Sequence, residues 1–263
     1  MSQQFITSSL ESGVLKIVLN RPDKLNSFNY GMAEEVQDVF IEAASNTEVR
    51  CVLLTGMGRA FCAGQDLEEV VEIGKDPTRK LSEVVHHTYN PIIKAIRNLE
   101  KPVICAVNGT AAGAGANIAL ACDMVIANED AKFIQSFSNI GLIPDSAGTY
   151  ILPRLIGLAR ATELTFTGRP VKAPEAVAMG MIYKSVPAEE LMDEAITLCK
   201  HLANMPTYGL GLTKRGFNAG FSNSLEEQME LEAELQAKAG ASKDYNEGVQ
   251  AFLEKRKPKF TGS

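Results

Sequence analysis

Through the first 130 residues, short apolar runs alternate with stretches of helical periodicity, and that alternation confines the chain to an α/β architecture with a mainly parallel sheet. Val14, Leu15, Ile17, Val18 and Leu19 put apolar side chains on both faces of one extended segment, which ends at the turn signal Asn20-Arg21-Pro22-Asp23. Residues 51–56, 102–107 and 124–127 are runs of the same kind, and each reads as a buried strand. Between them Met32, Val36, Val39, Phe40 and Ala43 recur at helical spacing across 29–44. A second helical pattern covers 84–99, and the small residues of 113–121 predict a tightly packed helix.

Near Arg160 the character changes. Helical patterns follow one another at 173–179, 189–203, 207–219, 225–239 and 245–254, with few β-branched runs. The expected organisation is an α/β core over residues 1–200 and a C-terminal helical region over 201–263. The short helices of that region have a modest core, so they should pack against the α/β part or against another subunit. A chain of 263 residues is long for one domain and short for two.

The formal net charge of −6 supplies no field for phosphate backbones, which excludes a general nucleic-acid binder. Lys255-Arg256-Lys257-Pro258-Lys259 is a local exception that either meets a ligand phosphate or is a solvated end. Residues 1–5 lack a basic-then-apolar leader, and no stretch approaches the roughly 18 apolar residues of a membrane span. A cytoplasmic protein with no membrane partner is expected. Five widely spaced cysteines without a C-x-x-C pair suit reduced, buried thiols and no metal site.

Two loops and one carboxylate carry the candidate chemistry. Arg59-Ala60-Phe61-Cys62-Ala63-Gly64-Gln65-Asp66-Leu67 lies between a strand and a helical pattern, and its small residues allow a ligand close to the main chain, with the Gln65 amide as donor. Taken alone, the segment is better explained as an ordinary glycine-containing turn. Asn108-Gly109-Thr110-Ala111-Ala112-Gly113-Ala114-Gly115-Ala116-Asn117 also precedes a helix, whose free first-turn amides favour a developing anion. Two donors presented separately, at Gln65 and near Ala114, are the minimum for holding an oxyanion. The acid/base choices are few. His86, His87 and His201 stand in no glycine-rich loop and beside no Ser or Cys signature, so a Ser or Cys hydrolase has little support. Asp145, within Gly141-Leu142-Ile143-Pro144-Asp145-Ser146-Ala147-Gly148-Thr149, is either a helix N-cap or a carboxylate among apolar neighbours suited to proton transfer.

These three segments, with the ending Ala251-Phe252-Leu253-Glu254-Lys255-Arg256-Lys257-Pro258-Lys259-Phe260-Thr261-Gly262, resemble the crotonase (enoyl-CoA hydratase/isomerase) superfamily in order and spacing over essentially the whole chain. The resemblance implies an α/β fold, a spiral core of repeated ββα units with a C-terminal helical trimerisation region. It implies an acyl-CoA thioester as substrate, coenzyme A being part of it, with no separate cofactor, and a homo-oligomer, either a trimer or a dimer of trimers. The amides of Gln65 and Ala114 then form the oxyanion hole. Lys24, Leu25, Ala63, Asp66 and Leu67 line the coenzyme A site, Gly113 adjoins it, and Phe252 and Lys255 reach it across a subunit boundary. Hydratases of the family activate water with two glutamates; the matching positions are Asn117 and Phe137, which are counted here with the substrate-binding residues. Asp145 stands where hydratases usually have glycine, and one acid/base suits an isomerase. Within the family the loops are most similar to the enzymes that convert ring 1,2-epoxyphenylacetyl-CoA to oxepin-CoA and shift 3-enoyl-CoA double bonds to the 2-position. A hydratase, a fatty-acid 3,2-enoyl-CoA isomerase and a non-catalytic coenzyme A-binding scaffold are the alternatives. The histidine-dependent machinery of related aryl-CoA dehalogenases is not evident in the segment 79–90.

Overall fold

A computed structural model describes residues 5–74 and 80–263. Residues 1–4, within the segment 1–5 read for a leader, and residues 75–79, the last of which begins the segment 79–90 read for histidine chemistry, lie outside the described residues. The strands in chain order are β1 (Ile6–Glu11), β2 (Val14–Leu19), β3 (Cys51–Gly56), β4 (Ala60–Cys62) and β5 (Val103–Val107), then β6 (Thr110–Ala112), β7 (Met124–Asn128), β8 (Lys132–Ile134), β9 (Pro170–Lys172) and β10 (Lys184–Val186). Six of them form one sheet in the order β1-β2-β3-β5-β7-β10, and the other four form a second in the order β4-β6-β8-β9. The β1–β2 and β8–β9 pairs are antiparallel, and all other pairings are parallel.

The chain therefore advances by a repeated step. A long strand enters the first sheet, a three-residue strand follows in the second, and a helix returns: β3, β4 and α2 (Leu67–Gly74) make one step, β5, β6 and α5 (Ala114–Ala121) another. This is the expected ββα spiral. Between those steps come α3 (Leu81–Val84), a π turn (Val85–Tyr89) and α4 (Asn90–Asn98); before them stands α1 (Tyr30–Ser45), whose N-cap Asn29 accepts from the Met32 amide. The short strands of the second sheet escape any periodicity reading, because three residues complete only one alternation. β1 escapes it because Thr7, Ser8, Ser9 and Glu11 make it polar along most of its length.

Strand β3 shows how the period of two feeds two cores. Cys51 and Leu53 face one side, packed with Ile104, Ala106, Ile126 and the apolar face of α9 (Leu191–Ala203). Val52 and Leu54 face the other, in the larger cluster with Phe40, Ile92 and Ile96. Residue 200 lies within α9, so that helix belongs with the sheet it covers.

Downstream of β8 come α6 (Gly148–Ile156), α7 (Leu158–Thr167) and α8 (Ala173–Ala178), then α9, α10 (Thr207–Ala219), α11 (Leu225–Gly240) and α12 (Lys243–Leu253). Helix α6 is the helix expected after Asp145, while α7 has no counterpart in the sequence reading; Gly157 separates them, with φ of +79°. Helix α10 is pressed on the core, since a Cβ on Gly211 would sit 2.3 Å from the Glu100 carbonyl oxygen. All five cysteines are free and buried. Among the described residues no helix is long and apolar enough to cross a membrane.

Candidate active site

The first donor loop leaves β4 at Cys62. Gly64 turns it with φ of +94°, and the backbone of Phe28 then pins it: the Phe28 amide donates to the Gly64 carbonyl at 2.7 Å, and the Asp66 amide donates to the Phe28 carbonyl at 2.8 Å. In such an extended pairing the intervening residue directs its own amide to the opposite side. The Gln65 amide accordingly has no backbone acceptor among the described residues. The second donor is the Ala114 amide, at the first position of α5, where no intrahelical acceptor exists. The two loops are in contact: a Cβ on Gly64 would lie 2.9 Å from the Ala112 carbonyl oxygen and 3.6 Å from the Ala114 nitrogen. Behind them a Cβ on Gly115 would come within 2.4 Å of the Cys62 carbonyl oxygen, so only glycine permits this approach of β4 and α5.

Both donor loops open on a cavity of ≈ 280 Å³, walled otherwise by Leu81, Val84, Tyr89, Phe137, Leu142 and Asp145 among others. A larger groove of ≈ 670 Å³ between α4, α6 and α10 contains neither donor loop, so the candidate residues converge on the smaller space. Asp145 is the one carboxylate among the described lining residues. Burial raises its pKa above the usual carboxylate range, and the Ser146 hydroxyl, which donates to Oδ1 at 2.9 Å, works against that rise. The Asp145 carbonyl accepts from the Gly148 amide at 2.8 Å and from Asn117 Nδ2 at 2.9 Å. Asp145 is not the N-cap of α6. Ala147 holds that position with φ of +57° and no side-chain cap, so the carboxylate is not consumed by helix initiation.

Tyr89 comes from the π turn that precedes Pro91, a distortion frequent at functional sites. Its hydroxyl donates to Gln65 Oε1, while Gln65 Nε2 donates to Glu69 Oε2 at 3.4 Å. Burial, then the nearby Cys62 and Asp145, hold the phenol well above its usual pKa, so it stays neutral. Cys62 is likewise pushed up to about 12 by burial and remains a protonated thiol.

The other sequence candidates divide. Ala63, Leu67, Gly113 and Phe137 line the cavity with the donors and Asp145. Asn117, expected at the substrate, is not among the lining residues: it is buried, and its amide is committed to the Asp145 carbonyl and to Gln135 Nε2, which donates to Asn117 Oδ1 at 2.9 Å. Asp66 is also buried, its carboxylate paired with Arg21 at 2.8 Å. Lys24 pairs with Glu68 on the surface at 2.7 Å, and the Leu25 carbonyl accepts from the Ala63 amide at 3.0 Å. Phe252, 83% exposed, and the exposed Lys255 are absent from the cavity wall within one chain. His86 and His87 are exposed on the π turn. Sequence reasoning missed Tyr89, hidden in a long helical pattern, and Ser146, whose place beside Asp145 was the available signal.

The family described as Enoyl-CoA hydratase/isomerase matches residues 9–263. A relative from Escherichia coli (strain K12) named 1,2-epoxyphenylacetyl-CoA isomerase is 48% identical over 259 residues, covering 98% of this chain and 99% of its own. One from Rhodobacter capsulatus, named "Probable enoyl-CoA hydratase", is 44% identical, and the match covers 100% of both chains. Among solved structures, an enoyl-CoA hydratase from Bacillus anthracis superposes with a TM-score of 0.91 at 35% identity, covering 99% of this chain and 100% of its own.

Proposed function

The chain belongs to the enoyl-CoA hydratase/isomerase family, and from that premise we propose that it is an acyl-CoA isomerase whose acid/base is Asp145. The thioester oxygen rests between the amides of Gln65 and Ala114. Asp145 takes a proton from C2 of a 3-enoyl-CoA, the electrons of the broken C–H bond pass into the enolate on that oxygen, and the proton returns at C4. The double bond ends at the 2-position with nothing consumed. Conversion of ring 1,2-epoxyphenylacetyl-CoA to oxepin-CoA is the second substrate class, supported by the name of the 48% identical relative. Donors fixed before the charge develops lower the barrier because they need not reorganise.

The observation that carries this reading is the cavity wall, where Asp145 is the one carboxylate among the described lining residues and Phe137 occupies one position that matches a hydratase glutamate; the other such position, Asn117, lies behind the wall with its amide on the Asp145 carbonyl. Ala63, Leu67, Gly113 and the stretch around Lys24 and Leu25 are proposed to bind the coenzyme A portion. Phe252 and Lys255 serve it from a neighbouring subunit of a trimer or dimer of trimers, which accounts for their distance from the cavity in one chain. The names of hydratase relatives favour water addition as the competing reading. Absorbance growth of a conjugated thioester from a 3-enoyl-CoA, with little hydration of a 2-enoyl-CoA, is the expected result; fast hydration without isomerisation reverses the proposal. Mass-spectrometric identification of oxepin-CoA from the ring epoxide tests the second substrate.

A further inference from the structure

Asp145 is followed by two residues in conformations that an L side chain avoids. Ser146 has φ of +50° and Ala147 φ of +57°, both in the left-handed region. Such strain persists where the surroundings over-determine it and gathers at functional sites. Ser146 is 1% exposed, and its hydroxyl points to a single place, Oδ1 of Asp145 at 2.9 Å. Helix α6 takes no side-chain cap from it. The main chain of Asp145 is meanwhile held through its carbonyl by the Gly148 amide and Asn117 Nδ2. Backbone and one carboxylate oxygen are thus fixed, while among the described residues no other side chain donates to the carboxylate.

Resting on the isomerase reading above, we propose that Ser146 is a positioning residue that selects the reacting atom: its hydroxyl engages Oδ1, and Oδ2 takes the proton from one substrate carbon and returns it to another. As the substrate C–H bond breaks, its electron pair moves into the enolate and an O–H bond forms at Oδ2; the second transfer reverses this at the other carbon. The serine keeps its own proton throughout, because Oδ1 can accept it in either protonation state. Holding the carboxylate in one orientation keeps the acceptor within reach of both carbons. Around Asp145 stand Tyr89 from the π turn, which itself feels Glu69 and Asp66, and the neutral Asn117 from α5. Among the described residues no cation pairs with Asp145, so the serine is its one side-chain donor.

The test compares Ser146→Ala and Ser146→Gly with Asp145→Asn, following 3-enoyl-CoA isomerisation across pH together with acyl-CoA binding. Both serine variants lose the hydroxyl, but glycine accepts the positive φ, so it reports on the hydroxyl even where alanine folds poorly. The expected result is a loss of about tenfold in kcat in both, a smaller change in KM, and an acid limb of kcat/KM displaced to higher pH, since a donor that favours the ionised carboxylate has gone. Wild-type kcat and an unmoved acid limb in both, with Asp145→Asn inactive, overturn the role of Ser146 and leave the isomerase reading standing. A fall in thermal stability with no change in the pH profile, or loss of folded protein in both, makes the residue structural and also overturns it. Full turnover by Asp145→Asn sinks the isomerase reading itself.

Discussion

Helix α5 and helix α12 answer the same physical problem in opposite ways. All eight residues of α5 are buried, between β4 in front and α4 and α6 at its sides, so its apolar surface is covered within one chain. Of the eleven residues of α12 only Asp244 and Ala251 are buried, while Tyr245, Val249, Phe252 and Leu253 are exposed, the last two at 83% and 71%. Helix α11 repeats the pattern, with Leu235 buried and Leu225 and Met229 exposed. A helix that is apolar all round belongs in a core; one with an uncovered apolar stripe belongs against something else. The residues proposed to carry the chemistry adjoin the first kind of region, and those proposed to complete ligand binding sit in the second. Catalysis and assembly should therefore fail separately.

The largest effect belongs to the buried region. Asp145→Asn should lower kcat by about 10³-fold, the range for removing a general base, with the thermal midpoint nearly unchanged because the side chain caps no helix. Steady-state kinetics and thermal unfolding check both halves, and full turnover would reduce Asp145 to structure and favour a scaffold. The pH dependence has a definite sign. Burial raises the Asp145 pKa, and the group must be ionised to take a proton. Activity should rise with pH through that raised value, so the acid limb of kcat/KM lies above where an exposed aspartate would put it; a limb at the ordinary aspartate position contradicts the burial.

Next in size is Leu53→Ala. Leu53 is fully buried between β3 and α9, and truncation there should cost about 3 kcal/mol for lost transfer and cavity formation. Denaturant unfolding reads it, while kcat of the remaining folded protein stays near wild type.

How much of this was legible in sequence follows the same division. Strands buried on both faces are written as continuous apolar runs, so β2, β3, β5 and β7 are plain, as is α1 with Asn29 at its cap. The donor loops were legible because close backbone approach needs glycine at 64 and 115. The second sheet was not, because Ala60–Cys62 and Thr110–Ala112 carry too few residues to show a period. Asp145 could not be separated from an N-cap by local sequence, since Pro-Asp before a helix suits either; the positive φ at Ser146 and Ala147, which moves the helix start beyond it, depends on three-dimensional contacts. Asn117 was assigned by position in a motif, and only folding shows its amide turned to the Asp145 carbonyl.

The smallest expected effect on the single chain sharpens the comparison most. Leu253→Ala is the same substitution as Leu53→Ala, moved from a buried strand to a residue 71% exposed at the end of α12. A surface truncation of this kind changes stability by no more than about 0.5 kcal/mol, so unfolding of the dissociated chain should barely register it. If the apolar stripe of α12 meets another subunit, the loss appears instead in self-association. Removing Phe252 and Leu253 together should shift sedimentation from oligomer to monomer at concentrations where wild type is assembled, and raise KM for acyl-CoA because the neighbour's Phe252 and Lys255 no longer reach the ligand. The buried-core variant should show the converse, with lower stability and unchanged stoichiometry in what remains folded. An α12 double variant that stays assembled with wild-type KM would place the contact surface elsewhere and leave Phe252 without a part in binding.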